Sequence, residues 1–245
     1  MEPRVDIVSL TYHHPEYLER MAESLDHQTY KDFTMTLVDN GGDEAARVFA
    51  QEHKWKYLTY GENLSYSDAN NRGVTQGHAP WILLLNDDAI MDPTCLGNLM
   101  GHAQQGHQLV GCLIYNTDGT INHAGTTFAD GFPTHLGRGF LEPPPECLET
   151  PAVTFAVVLI ERRLWEALGG LDLLYWYGFE DTDFCLRARE EFGVQSRICR
   201  HAKVEHNEHG TRGNDDDITN YGKFVSRWGG SQEPVEETRL YKLFS

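Results

Sequence analysis

Short apolar runs alternate with stretches of helical spacing through the first third of the chain, and this alternation limits the folds that the chain can adopt. The predicted strands cover 5–11, 33–38, 55–60 and 81–85, and the predicted helices cover 15–25, 45–50 and 66–76. The helical stretches place their apolar residues on one face, as in Leu18, Met21 and Leu25. Repeated βα units of this length form a parallel sheet with helices on both faces. The sequence therefore predicts an α/β fold with a mostly parallel central sheet.

The pattern changes after Leu113. Residues 115–120 have the composition of a hairpin turn. A stretch rich in glycine and proline follows at 125–151, and a loop of that length is expected to be a lid or a binding loop. Regular structure is predicted to resume with a strand at 153–160 and a helix around 163–168. We expect one domain over 1–245, with a nucleotide-binding half at 1–114 and an acceptor and catalytic half at 115–245.

The charge and composition exclude several classes of partner. The net charge of −17 argues against nucleic acid and against an anionic membrane surface, because both require clustered Lys and Arg. A phosphate ligand would need a metal ion or backbone N–H groups to hold it. We expect no signal peptide, because the first residues lead directly into a predicted strand, and no apolar stretch reaches membrane-spanning length. We therefore expect a cytoplasmic protein, with peripheral attachment to a membrane left open.

The cysteines are five in number, widely spaced, and without a CxxC pair. This pattern is typical of reduced core residues rather than of disulfides or a zinc site. The five positions are Cys95, Cys112, Cys147, Cys185 and Cys199.

Two adjacent carboxylates, Asp87 and Asp88, follow the apolar run at 81–85. Ligands of open α/β sheets bind beyond the carboxyl ends of the strands. Two carboxylates at such a place repel each other unless a cation lies between them, which indicates an oxygen-ligand site for Mg²⁺ or Mn²⁺. Capping of the following helix by Asp88 or Asp92 is the competing interpretation.

A second acidic cluster, 180–183, begins a helical stretch. If the helix starts near Asp181, that residue shares a stripe with Cys185, Ala188 and Phe192. Asp183 then falls on the opposite face and pairs with Arg187 in solvent. An inward-facing carboxylate at a helix N-terminus can serve as a general base, although a helix cap is the commoner role.

A third cluster, 203–211, follows a short predicted strand. His206 at the strand end can complete a mixed imidazole and carboxylate site for Mn²⁺. The pair His206 and His209 also has the spacing of a helical zinc pair, but no third Cys or His lies nearby with usable spacing.

Taken in order, these segments resemble the family 2 glycosyltransferases of the GT-A fold, in particular the rhamnosyltransferase-like branch. Asn86-Asp87-Asp88 stands where that family has its DXD motif, 180–187 is similar to its ED motif, and His206 with Thr211 is similar to its HxxxxS-type element. The remaining matching segments are 5–12, 37–41, 63–73, 118–125 and 169–172.

The resemblance implies a metal-dependent, inverting transfer of a sugar from a UDP- or dTDP-linked donor to a hydroxyl of a glycan or glycoconjugate, as in polysaccharide biosynthesis. It implies that Asp88 and His206 bind Mn²⁺ or Mg²⁺ and that Asp181 deprotonates the acceptor. The implied donor-binding residues are Thr11, Asp39, Asn63, Asn71 and Asp87, and the expected acceptor contacts are Trp176 and Glu180. Trp176 is included because aromatic faces pack on sugar rings, and core packing is equally compatible with the Tyr175-Trp176-Tyr177 run.

Three features depart from the family pattern: Asn86 begins the DXD-type motif, Phe155 replaces a small residue, and Leu171-Asp172-Leu173-Leu174 lacks a following acid. Two other functions stay open, a non-catalytic nucleotide-sugar-binding module and a nucleotidyltransferase. The latter usually has a Gly-rich loop with Lys or Arg after its first strand, whereas this chain has Thr11-Tyr12-His13-His14-Pro15.

Overall fold

The computed structural model describes residues 4–129, 131–206 and 214–229. Its helices are α1 (Pro15–Asp26), α2 (Glu44–Glu52), α3 (Tyr66–Val74), α4 (Cys95–Gln104), α5 (Arg162–Leu168), α6 (Glu180–Phe192) and α7 (Asn214–Trp228). Its strands are β1 (Val5–Thr11), β2 (Phe33–Asp39), β3 (Lys56–Thr59), β4 (Trp81–Asn86), β5 (Ala89–Met91), β6 (Leu109–Tyr115), β7 (Ile121–His123), β8 (Thr126–Ala129), β9 (Phe132–His135), β10 (Leu148–Thr150), β11 (Val157–Glu161) and β12 (Ser196–His206). In these ranges, every helix is too short or too polar to cross a membrane.

One large mixed sheet organises the molecule, in the order β10-β12-β6-β11-β4-β1-β2-β3. The strands β4, β1, β2 and β3 are parallel to one another, which confirms the predicted parallel core. Strand β11 runs antiparallel between β4 and β6. The short strands β5 and β7 add to the edges of β12 and β6, and β8 and β9 form a separate hairpin.

Apolar side chains cover both faces of this sheet. Strand β4 shows how the sequence produces this, because Leu83 and Leu85 join the core beneath α1, α2 and α4, while Ile82 and Leu84 join the core beneath α3, α5 and α6. A side chain of this size contributes roughly 1.5–3 kcal/mol when it is fully buried. The run at 81–85 is therefore apolar at every position, as expected for a strand covered on both faces.

The second half contains more regular structure than the sequence predicts. The stretch 125–151 is not one long loop, since it contains β8, β9 and β10. The predicted strand at 153–160 starts only at Val157, because residues 154–156 line a cleft instead of extending the ladder. The predicted turn is confirmed, since the N–H of Gly119 donates to the carbonyl of Asn116 between β6 and β7.

The predicted orientation of α6 is wrong on one face. Asp183 and Arg187 do form an ion pair, with 2.8 Å between Nε and Oδ2, but their side chains are 0% and 7% exposed. Helix α7 covers this face through Phe224 and Trp228, so that α6 is buried on two sides. Phe192, which was expected to face the interior, is 49% exposed because it lies beyond the covered turns.

Candidate active site

A cleft of about 820 Å³ opens beyond the carboxyl ends of β1 and β4. Asn86, Asp87 and Asp88 line its floor, and the first turn of α6 lines the opposite wall with Glu180 and Asp181. The hairpin β8–β9 and the end of β12 complete the enclosure. The fold therefore brings the three acidic and histidine clusters of the sequence to one place.

Backbone pairing fixes the relation between Asp88 and His206. After the turn at Asp87 and Asp88, β5 pairs antiparallel with the end of β12, so that Ala89 lies opposite His206. This register places His206 Nε2 3.0 Å from Asp88 Oδ1, and both side chains are largely buried. Carboxylate oxygen and imidazole nitrogen are both ligands that suit Mn²⁺, so the pair is able to hold such an ion.

The neighbouring carboxylates differ in environment. Burial, reinforced by the negative charge of Asp88, raises the pKa of Asp87 to about 7.

Asp88 is not a helix cap, because β5 separates it from α4. Asp92 takes the position ahead of that helix and accepts hydrogen bonds from the N–H and hydroxyl of Thr94. The capping interpretation of Asp88 is therefore wrong.

A tight turn aims the first turn of α6 at the cleft. Gly178 and Phe179 both have positive φ, +90° and +71°, and the second value is strained for a bulky residue. Phe179 keeps this conformation in contact with other rings, its centroid 5.2 Å from that of Phe224. Asp181 follows at the cleft wall, and its Oδ1 accepts the N–H of Thr182 at 2.6 Å.

Aromatic side chains form the side of the cleft away from β1. The Phe132 ring of β9 meets Phe179 edge-to-face at 6.1 Å and Tyr221 of α7 at 5.1 Å. We call Phe132, Phe179 and Tyr221 the aromatic wall, and all three line the cleft. Phe132 and Tyr221 are 43% and 37% exposed, so large apolar faces remain available there.

Of the five predicted donor-binding residues, Asp87 lines the cleft, whereas Thr11, Asp39, Asn63 and Asn71 lie outside its lining. Asp39 is fully buried, and its carboxylate accepts the N–H groups of 41–43 and the hydroxyl of Tyr57. Asn63 is exposed and accepts a hydrogen bond from Asn40. Asn71 both donates to and accepts from the backbone of Leu171, which fixes the segment after α5.

Thr11 and Trp176 also lie outside the lining. Thr11 is buried at the end of β1, paired in register with Asp39. Trp176 is 48% exposed, whereas its neighbour Tyr177 lines the cleft and meets Tyr66 edge-to-face at 6.0 Å. His209 and Thr211 lie outside the described residues.

Several lining residues are missing from the sequence interpretation, among them His14, Tyr17, Tyr66, Asn122, His135 and Arg138. The signal for two of them was present, since His135 and Arg138 belong to the 125–151 stretch that was expected to be functional. Tyr66 belongs to the matching segment 63–73, but that match does not indicate a role for its side chain. Its hydroxyl donates to the carbonyl of Phe155 at 2.8 Å, a contact between distant parts of the chain.

Comparison with known proteins shows the family to which the chain belongs. The family model described as "Glycosyl transferase family 2" matches residues 6–164. The chain therefore belongs to glycosyl transferase family 2 and is a glycosyltransferase domain of the GT-A fold. The resemblance drawn from the motifs is thus confirmed.

Among its relatives, "Uncharacterized protein y4gI" of Sinorhizobium fredii is 31% identical over 234 residues, covering 87% of this chain and 25% of that protein. "O-antigen biosynthesis protein RfbC" of Myxococcus xanthus is 28% identical over 229 residues, covering 86% of this chain and 18% of that protein. The chain thus spans a quarter or less of the length of these two curated relatives.

Solved structures support the fold at low sequence identity. GalNAc-T7 with UDP, GalNAc and Mn²⁺ superposes with a TM-score of 0.73 at 15% identity, over 98% of this chain and 53% of that one. The mannosyltransferase PcManGT of Pyrobaculum calidifontis with GDP-Man and Mn²⁺ gives 0.69 at 16% identity, over 99% and 69%. Both structural similarities support the GT-A fold, and the predicted fold class is thereby confirmed.

Proposed function

We propose that this domain transfers a sugar from a nucleoside-diphosphate sugar to a hydroxyl of a glycan or glycoconjugate, with inversion and with a divalent metal ion. The observation that carries the proposal is that one cleft is lined both by the Asp88 and His206 pair and by Asp181. Similar folds bound to nucleotides and Mn²⁺ support it. The donor is proposed to be UDP- or dTDP-linked, and the setting to be polysaccharide biosynthesis, as the name of the RfbC relative suggests.

The chemistry of the cleft floor fits a divalent cation. Asp88 and His206 would hold Mn²⁺ or Mg²⁺, and Asp87 stands beside them. A bound cation would neutralise the charge of the departing diphosphate, which a protein of net charge −17 otherwise repels. It would also favour the ionised form of Asp87, whose pKa burial has raised to about 7.

Asp181 is proposed as the general base. Its Oδ1 is held by the backbone and hydroxyl of Thr182, which orients the carboxylate at the cleft wall. The acceptor oxygen forms a bond to the anomeric carbon as the carbon–oxygen bond to the diphosphate breaks. The acceptor proton passes to Asp181, and the nucleoside diphosphate leaves with the bonding electron pair.

The two sides of the cleft are proposed to have different ligands. Thr11 at the end of β1 and the lining residues His14 and Tyr17 mark the donor side. Tyr177 and the aromatic wall mark the acceptor side, where aromatic faces can pack on sugar rings. Glu180, buried at the cleft wall, stays in the acceptor assignment, while Tyr177 replaces Trp176 there because only Tyr177 lines the cleft.

The location is proposed to be cytoplasmic, with peripheral attachment to a membrane left open. All five cysteines are free thiols, as expected in a reducing compartment.

Incubation of the protein with a panel of nucleotide sugars and acceptors, with Mn²⁺ or with EDTA, tests the function. Release of nucleoside diphosphate that needs both Mn²⁺ and an acceptor is expected, and the panel names the donor. Calorimetry with the corresponding nucleoside diphosphate should show that Asp88→Ala loses most of the Mn²⁺-dependent affinity and His206→Ala part of it. Equal affinity with and without EDTA, or binding without any transfer to an acceptor panel, would contradict the proposal.

A further inference from the structure

Three side chains capable of binding a metal converge away from the cleft, from distant parts of the sequence. His102 lies in α4, Cys147 directly precedes β10, and Cys199 lies in β12. One ligand atom of each lies within 4.8 Å of the other two, and His102 Nε2 is 3.5 Å from Cys147 Sγ. None of the three lines the cleft.

The separation between the ligand atoms of His102 and Cys147 is compatible with Zn²⁺. Tetrahedral Zn²⁺ has zinc–sulfur and zinc–nitrogen distances of about 2.3 and 2.0–2.1 Å, which places a bound sulfur and nitrogen about 3.6 Å apart. The observed 3.5 Å between His102 Nε2 and Cys147 Sγ matches this value. Thiolate and imidazole are also the ligand types that zinc prefers, whereas Mg²⁺ and Mn²⁺ favour carboxylates and water.

Burial and charge are compatible with an ion at this place. Cys199 is buried, and His102 and Cys147 are half-buried, so that the ligands are accessible from one side. Two thiolates, one neutral imidazole and one Zn²⁺ have no net charge. This neutrality lowers the cost of placing an ion against the apolar core that Cys199 joins.

We propose that His102, Cys147 and Cys199 bind one Zn²⁺ ion, with water in the fourth position, at a site separate from the cleft. The ion would crosslink α4, the segment before β10, and β12. Cys147 ends the segment that returns from the hairpin β8–β9 to the sheet, so zinc would anchor this segment to α4 and β12. The absence of a CxxC pair hides such a site from the sequence, because its ligands lie 45 and 52 residues apart.

Cobalt spectroscopy on the full chain tests the proposal. The protein is stripped with a chelator under a phosphine reductant and titrated with Co²⁺ alone. We expect sulfur-to-cobalt absorption in the near ultraviolet together with tetrahedral visible bands, saturating at one ion per chain and bleached by Zn²⁺. Cys147→Ser should lose the sulfur-to-cobalt absorption. His102→Gln should lose the tetrahedral pattern of the visible bands.

Two controls separate this site from other events. Asp88→Ala should keep the signal, since the proposed cleft ligands contain no sulfur, and Cys185→Ser should keep it because that thiol lies beside Val153 on the other core face. Zn²⁺ should raise the melting temperature of the wild type and not that of Cys147→Ser, provided that the metal-free forms melt alike.

Three results would overturn the proposal: no signal in the fully reduced wild type, an unchanged signal in Cys147→Ser, or a disulfide between Cys147 and Cys199 that survives in the purified protein until reduction. If the metal-free Cys147→Ser melts well below the metal-free wild type, His102→Gln decides the outcome. That variant removes the half-buried imidazole ligand and keeps both thiols.

Discussion

Asp181 and Asp183 stand two residues apart on one helix and have opposite environments. Asp181 is half-buried at the cleft wall with Thr182 as its hydrogen-bond partner. Asp183 is fully buried among donors from Arg187, Tyr175 and Trp228. Because it is fully buried and its oxygens already accept from these three donors, the Asp183 carboxylate is not accessible to a substrate. The environments therefore support the proposed base role of Asp181 and indicate a structural role for Asp183.

Asp181→Asn keeps the shape of the side chain and removes the proton acceptor. We expect kcat for transfer to fall by about 10²–10⁴-fold, the usual contribution of general-base catalysis. Donor and metal affinity, measured by calorimetry, should stay near wild type. Glu190→Gln, an exposed change on the same helix, is the matched control and should retain activity. Wild-type kcat in Asp181→Asn would remove the residue from the base role.

Asp183→Asn should act on folding. Removing one partner of a buried ion pair typically costs about 3–5 kcal/mol, because the other charge stays buried without compensation. Arg227 also approaches Asp183, at 3.2 Å, so a second cation would lose one of its two carboxylate partners and keep Asp172. Urea unfolding should show a lower midpoint with an unchanged slope. A midpoint equal to that of the wild type would mean that the covered face of α6 is not closed in solution.

At the scale of elements, we expect the hairpin β8–β9 to influence which acceptor the cleft binds, because its residues line the cleft. It contributes Phe132 to the aromatic wall, and Phe132 contacts both the turn before α6 and helix α7. The hairpin and these two elements therefore form one surface at the mouth of the cleft.

Phe132→Ala should raise the acceptor KM by roughly 5–30-fold, corresponding to about 1–2 kcal/mol of lost aromatic contact. The donor KM should change little, because the proposed donor and metal contacts, among them Asp88 and His206, do not include the aromatic wall. Trp176→Ala is the matched control, since that side chain is exposed and does not line the cleft. Initial rates with each substrate varied in turn provide the measurement. An equal effect on both KM values, or a larger effect of Trp176→Ala, would contradict this role of the hairpin.

Elements with strong periodicity could be predicted from the sequence, and those made by long-range pairing could not. The βα units up to β4 follow from local spacing, since each strand has its own apolar run. Strand β5 is only three residues long and is defined by its pairing with β12, so no local sequence pattern predicts it. Helix α6 was located correctly, but its covered face depends on α7, whose position the sequence of α6 does not encode.

The same limit applies to the candidate site. The carboxylates after β4 and at the start of α6 could be predicted because they follow recognisable elements. Asp39, Asn63 and Asn71 also belong to matching segments, yet their side chains form hydrogen bonds within the protein and lie outside the cleft lining, so that their donor-binding role stays a prediction. A motif fixes the position of a residue along the chain, whereas the direction of its side chain depends on packing.

At the scale of the whole molecule, the two halves of the sequence do not form two separate bodies. Strand β11 of the second half lies between β4 and β6 of the first. A buried ion pair of 2.8 Å also joins Asp6 of β1 to Arg162 at the start of α5. The proposed division at residues 114 and 115 therefore describes function and not folding units.

A fragment covering 1–114 should not unfold cooperatively. Without β11, strand β6 loses its connection to β4, and Asp6 loses the guanidinium that compensates its buried charge. Circular dichroism during heating should show a broad change, whereas the full chain under the same conditions should show a sharp transition. A sharp transition in the fragment would show that the first half is a folding unit.

The insertion of β11 has a consequence for synthesis on the ribosome. Strand β4 leaves the exit tunnel well before Val157–Glu161, and during that interval one of its edges has no partner from its own chain. The exposed run Trp-Ile-Leu-Leu-Leu is apolar and uncharged, the type of strand that pairs with other chains. Nascent chains that stall before residue 161 should therefore aggregate, and slow translation of that interval should lower the soluble yield of a protein whose finished form is stable.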